Sequence, residues 1–235
     1  HWHALLSAES AGKLSAWMNF VAGNVARIAG EHHAWEGKVW ARRYRGTVCV
    51  DRESAVRMLA YSVGHSAKEG LTRCPEAWPG VHCVDALRYD RPLVGTWFDQ
   101  TGYGKAVRRG QAPERKNYET RYSLRFTIPP CMRDLGPDEF RGLVGQMRRD
   151  AIATGEAVRD GRPALGAKRI LRQDPHAAPP SSKRAPGSMC HAATKAARKA
   201  FIVAYKNAVS AYQEAMITLR AGIAALTDGT WTATR

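Results

Sequence analysis

The sequence has no run of apolar residues long enough to cross a bilayer, which excludes a membrane-spanning helix within these residues. No secretory signal is visible at its start. It also lacks paired cysteines. Cys49, Cys74, Cys83, Cys131 and Cys190 are odd in number and irregular in spacing, which reads as reduced cytosolic thiols and not as a disulfide framework. No CxxC is present, so Cys74, His82 and Cys83 make at best a partial zinc set. Acidic residues are scarce: 21 Asp and Glu face 36 Lys and Arg, a formal net charge of +15. That excess points to a polyanionic partner, with nucleic acid the default. A membrane surface is the weaker alternative, because the basic residues do not gather on one apolar-backed helix.

The chain has 235 residues, enough for one large or two small domains, and 44% are hydrophobic. Residues 1–6 read as a strand, whose neighbour would come from 47–50 or from outside the chain. Leu14, Trp17, Met18, Val21, Val25 and Ile28 recur at helical spacing, with Gly30 as the stop. A basic, aromatic loop follows over 35–45, then a short strand at 47–50 and Asp51 as helix N-cap. Residues 72–117 are rich in Gly, Pro and Arg and read as connections with short elements. Tyr122, Leu124, Phe126 and Ile128 alternate, which predicts a strand over 118–128 closed by Pro129 and Pro130. Pro137 opens a further helix.

Four regions result: 1–90, an accessory region 91–172, a proline-rich basic linker 173–190, and a long helix from about His191 to Leu226. Phe201, Tyr205, Ala208, Tyr212, Ala215 and Leu219 give that helix a heptad-like seam. A packing or homodimer role suits it better than DNA recognition.

The helix after Asp51 carries the chemistry. Val56, Leu59, Ala60 and Val63 form its apolar stripe, while Ser54, Arg57, Tyr61, His65 and Lys68 fall on the other side at about 100° per residue. Tyr61 and His65, four apart, share a face. His1 and His3, two apart in an extended segment, also share one. Imidazoles hold divalent metals, and three of them leave positions open for phosphate and water. A phenol is a suitable nucleophile because its phosphodiester stores the bond energy and lets the step reverse. Mg²⁺ or Mn²⁺ would serve: imidazole favours manganese and availability favours magnesium.

These residues resemble a known family. His1-Trp2-His3 looks like the HUH motif, and Leu59–Leu71 resembles the tyrosine helix of single-tyrosine HUH transposases, in particular the REP-associated tyrosine transposases, or transposase IS200-like group. Trp35–Tyr44 is similar to that group's basic turn. The likeness covers residues 1–90. It implies an α+β fold, an incomplete ferredoxin-like HUH core followed by a mainly helical extension, and nicking of single-stranded or hairpin DNA through a 5′-phosphotyrosine. It implies Tyr61 as nucleophile and His1, His3 and His65 as metal ligands, with His65 where the family commonly has Asn or Gln and Ser66 where it has Pro. The family's opening strand, helix and second strand are not in the sequence, which therefore reads as lacking its beginning. The implied setting is the bacterial cytoplasm, at the nucleoid, with no membrane partner.

Simpler readings stand beside these. An HxH tripeptide is usually surface or filler, and His32-His33 reads as exposed loop. Trp35, Trp40 and Tyr44 either pack under their loop or stack on an unpaired base. Lys38, Arg42, Arg43 and Arg45 are either a solvated loop or phosphate contacts, and the net charge favours the second. With Trp40, Tyr44, Arg57 and Lys68 they form the expected DNA-binding set. The rival functions are a catalytically inactive DNA-binding remnant, a replication or relaxase-type HUH nickase, and a basic structural protein.

Overall fold

A computed structural model describes residues 2–177 and 188–227 of the chain, with side chains to residue 223. The fold mixes helix and strand, and helix predominates. The described residues fall into two compact units. One is drawn from His1–Ala41 and Arg57–Pro180, the other from Arg42–Val56 and Ser181–Arg235.

The first unit begins with an extended segment that pairs with no strand, so the strand expected over 1–6 is not formed by its described residues. Strand 48–49, the expected neighbour, pairs elsewhere. Helix α1 spans Ala11–His32, and the Ser10 side chain accepts from the backbone N–H of Lys13 at its start. It runs through Gly30, the expected stop. Of its expected apolar stripe only Met18 is buried, while Trp17, Val25 and Ile28 are exposed.

Helix α2, Arg52–Lys68, begins in the second unit and lies mostly in the first. Its buried line is Ala55, Leu59, Val63 and Ala67, one residue every fourth position. Gly70, at φ +67°, ends it in the left-handed region that glycine adopts freely. A 3₁₀ turn at Pro75–Ala77 and helix α3, Val84–Tyr89, follow.

Strand β2, Leu93–Phe98, pairs antiparallel with β3, Glu119–Leu124, and helix α4, Gln100–Arg108, lies between them. The long helix α5, Pro137–Arg159, supplies the core with Phe140, Val144, Met147 and Ala151. Pro137 stands in its first turn, as expected, and Glu139 accepts from the Gly136 N–H. Gly64 and Ala67 of α2 meet Ala151 and Gly155 of α5. Small residues let these two helices approach closely. The short helix α6, Ala167–Leu171, follows α5.

In the second unit, β1, Val48–Cys49, pairs in parallel with β4, Cys190–His191. The Val50 N–H extends the ladder to His191 O at 2.9 Å. Helix α7 spans Lys195–Thr227, capped by Thr194, whose hydroxyl accepts from Ala197 N. His191, expected to open this helix, sits in β4 instead. Residues 178–187 of the proline-rich stretch lie outside the described residues.

Candidate active site and basic surface

The outward side of α2 carries the candidate chemistry. Asp51 starts the helix, its carboxylate accepting from Ser54 N at 2.8 Å and from Ala193 N at 2.7 Å. Ser54 is fully buried, although the sequence pattern set it opposite the core. Its hydroxyl donates to Asp51 O at 2.8 Å, so a polar side chain is satisfied inside by the turn that it caps. With the Ala55–Ala67 line turned inward, Tyr61 projects outward and is 37% exposed.

His3 joins it there. The His3 ring centre lies 5.1 Å from that of Tyr61, edge to face, and 4.8 Å from that of His65. Tyr61 and His65 are themselves 5.1 Å apart. Three rings from two segments, 58 and 62 residues apart in sequence, thus form one cluster. Trp2 turns to a different neighbour and packs edge-on against Trp17 of α1. Trp17, expected in the core, therefore serves as a partner for the opening segment.

The electrostatics of the cluster follow from its packing. Desolvation of the His3 ring, then the proximity of His65, holds the His3 pKa below the usual imidazole value. Neutral imidazole, the ligating form, is favoured. Desolvation and the nearby Glu69 carboxylate push the Tyr61 phenol above its usual value. Glu69 was not among the residues singled out from sequence, although its place eight positions after Tyr61 on the same helical stretch was readable. His1 lies outside the described residues. Among the described residues no three His, Cys, Asp or Glu side chains converge on a metal-sized site. The imidazoles of His3 and His65 form a pair, and Cys74, His82 and Cys83 do not form a set.

The expected DNA-binding residues divide between the units. Lys38, Trp40, Arg57 and Lys68 belong to the first, and Arg42, Arg43, Tyr44 and Arg45 to the second. Trp40 is anchored: its indole N–H donates to Ala22 O at 2.8 Å, so it packs under the loop. Trp35 stacks on His176, with ring centres 5.0 Å apart and planes 11° from parallel. Lys38, Arg42, Arg43, Tyr44 and Arg57 are exposed. Arg45 donates to Ser188 O at 3.0 Å, tying the loop to the approach of β4. The aliphatic stem of Lys68 folds back over Gly64. No helix among the described residues is long and apolar enough to cross a membrane.

No protein-family model matches this chain, and neither does any curated protein or solved structure.

Proposed function

We propose that the chain is a DNA strand transferase of the single-tyrosine HUH type, acting on single-stranded or hairpin DNA. The observation that carries this reading is the cluster of His3, Tyr61 and His65 on the outward face of α2. The tyrosine is accessible, and two imidazoles adjoin it.

His3 and His65 supply two of the three imidazole donors that the reading needs. His3 is held toward its neutral form, and both rings lie at the surface or partly so. His3 and His65, with His1 on the family resemblance, would hold Mg²⁺ or Mn²⁺, which when bound neutralises charge on phosphate oxygens. In the step assigned to Tyr61, its phenolic oxygen attacks a DNA phosphorus. A Tyr–O–P bond forms, the bond from phosphorus to the 3′ oxygen breaks, and the phenol proton is lost while the departing 3′ oxygen gains one. A DNA 3′-hydroxyl reverses the step at a new junction. Desolvation and Glu69 hold the phenol above its ordinary value, so a cation ligated by the neighbouring imidazoles would favour the ionised, nucleophilic form.

The finer features of the reading go together: DNA contacts from the basic loop, a homodimer through the apolar seam of α7, and a place at the nucleoid. The incomplete ferredoxin-like sheet expected in 1–90 is not formed by its described residues, whose one strand, β1, pairs with β4. The net charge of +15 supports the nucleic-acid part of this reading.

The test is incubation with hairpin-bearing single-stranded DNA and Mn²⁺, followed by denaturing electrophoresis. A covalent protein–DNA adduct is expected from the native chain and none from Tyr61→Phe, with DNA affinity kept. An adduct that persists in Tyr61→Phe removes this residue from the mechanism. Tight binding with no adduct from the native chain favours a DNA-binding protein without the chemistry.

A further inference from the structure

The β2–β3 pair is exposed along most of its length on both faces, and it is the face bearing Tyr122 that presents aromatic rings to solvent. Its register pairs Leu93 with Leu124, Gly95 with Tyr122 and Trp97 with Thr120. Side chains of directly paired residues share a face, and alternate pairs lie on the same side. The opposite face carries Phe98, which the Arg115 guanidinium covers at 4.3 Å and Tyr103 flanks at 5.3 Å. On the first face Tyr122 is 58% exposed and Leu124 57%. Phe126 continues the same alternation beyond the strand and is also exposed. Across from Tyr122 stands Gly95, where a Cβ would meet no atom within 4 Å. The space beside the tyrosine ring is therefore open.

The surroundings are cationic. Residues 88–133 hold ten Lys and Arg against four Asp and Glu, a net +6 within the chain's +15. The guanidinium groups of Arg88 and Arg91 lie 4.9 and 5.4 Å from the Tyr89 ring, next to the Leu93 end of the hairpin. Arg125 reaches the same end, 3.4 Å from Asp90. The net charge of these surroundings is strongly positive, which favours a polyanionic partner. Exposed aromatics within a region of net +6 match a polyanion that carries flat, stackable rings.

From this we infer that the open hairpin face, centred on Tyr122 beside Gly95, is a stacking surface for the unpaired bases of single-stranded DNA. The inference rests on the proposed partner, single-stranded DNA, and not on chemistry at Tyr61. Bases stack on Tyr122 and Phe126, while Arg91 and Arg125 take the backbone phosphates. Recognition of this kind is sequence-tolerant and steeply salt-dependent.

The experiment measures fluorescence anisotropy of a labelled oligothymidine of about twenty nucleotides, longer than one stacking site, with the full chain. Tyr122→Ala and Phe126→Ala are each expected to weaken binding about fivefold or more, and Tyr122→Phe to stay within about twofold of native. Arg91→Gln and Arg125→Gln should each lower the slope of log affinity against log salt by about one. Photocrosslinking to a 5-iodouracil oligonucleotide should place the adduct on Tyr122. Unchanged affinity in Tyr122→Ala, with a native circular dichroism spectrum, overturns the inference. So does tighter binding of oligouridine than of oligothymidine, or conversion of a dimer to a monomer by Tyr122→Ala without loss of affinity, which would make the face a protein contact. The two readings fail separately. Tyr61→Phe must bind oligothymidine as the native chain does, and Tyr122→Ala, given excess DNA, must still form the covalent adduct.

Discussion

Gly155 of α5 lies against the backbone of Ala67 of α2, so closely that a Cβ on Gly155 would fall 2.2 Å from the Ala67 carbonyl oxygen. The helix that presents Tyr61 is thus seated on α5 at a point with room for hydrogen only. Gly155→Ala gains about 0.5–1 kcal/mol of helix propensity but must push backbone from backbone. A net loss of about 1–3 kcal/mol is expected, read as a lower urea midpoint. An unchanged or higher midpoint would show that the two helices are not in this contact.

One turn away, a Cβ on Gly64 would lie 2.6 Å from the Ala151 Cβ. Here the obstacle is a single methyl group, so it can be removed. Gly64→Ala should destabilise, and adding Ala151→Gly should recover part of the loss. A coupling energy of about 0.5–3 kcal/mol is expected from the four-member cycle. Strict additivity would mean that the two positions do not touch.

Chelation tests the imidazole pair. EDTA, His3→Ala and His65→Ala are each expected to abolish formation of the covalent adduct while leaving most DNA affinity, which arises from Lys and Arg contacts with phosphate. Calorimetric titration with Mn²⁺ gives an independent reading, since either substitution should weaken metal binding about tenfold or more. Equal Mn²⁺ affinity in native and His3→Ala chains would remove His3 from the ligand set.

Stability at acid pH depends on Glu76. Desolvation opposes ionisation of its carboxyl, but the charge-assisted hydrogen bond from Arg148 outweighs it, and Glu76 stays below its ordinary pKa. Arg88 lies 3.6 Å from the same oxygen, and the carboxylate side chain is 19% exposed. A depressed folded-state pKa adds stability that is complete above the unfolded value and fades as pH falls through the folded one. Glu76→Gln should therefore cost about 2 kcal/mol near neutrality, with the two chains converging below the ordinary carboxylate range. Urea unfolding at several pH values checks this. A constant gap down to pH values below that range would show that the ion pair is not the source.

Much of α2 was legible in the sequence. Asp51 and Gly70 mark its ends, and its periodicity places Tyr61 and His65 outward together. Ser54 was not, because its polarity suggests solvent and only the turn geometry shows that its hydroxyl is satisfied inside. The meeting of His3 with Tyr61 is invisible to periodicity, since no local rule links residues 58 positions apart. The resemblance to a family suggested it, and the geometry brings the rings together. Strand β2 was hidden because Gly95 interrupts its alternation and its flanks, Asp90-Arg91-Pro92 and Asp99-Gln100-Thr101, are polar and read as loop. Two-residue strands such as β4 have no sequence signature at all, because they exist only through their partner.

That last point bears on how the chain is made. Val48 and Cys190 are neighbours in one parallel ladder, and the Asp51 carboxylate grips Ala193, 142 residues away. Local folding can proceed during synthesis, but this ladder must wait until residues 190–191 have left the ribosome. A product that stops short of Cys190 would leave Val48 and Cys49 without their parallel partner and the Asp51 carboxylate without the Ala193 N–H. Truncation before Cys190 should thus loosen the start of α2, where Asp51 holds both Ser54 and Ala193.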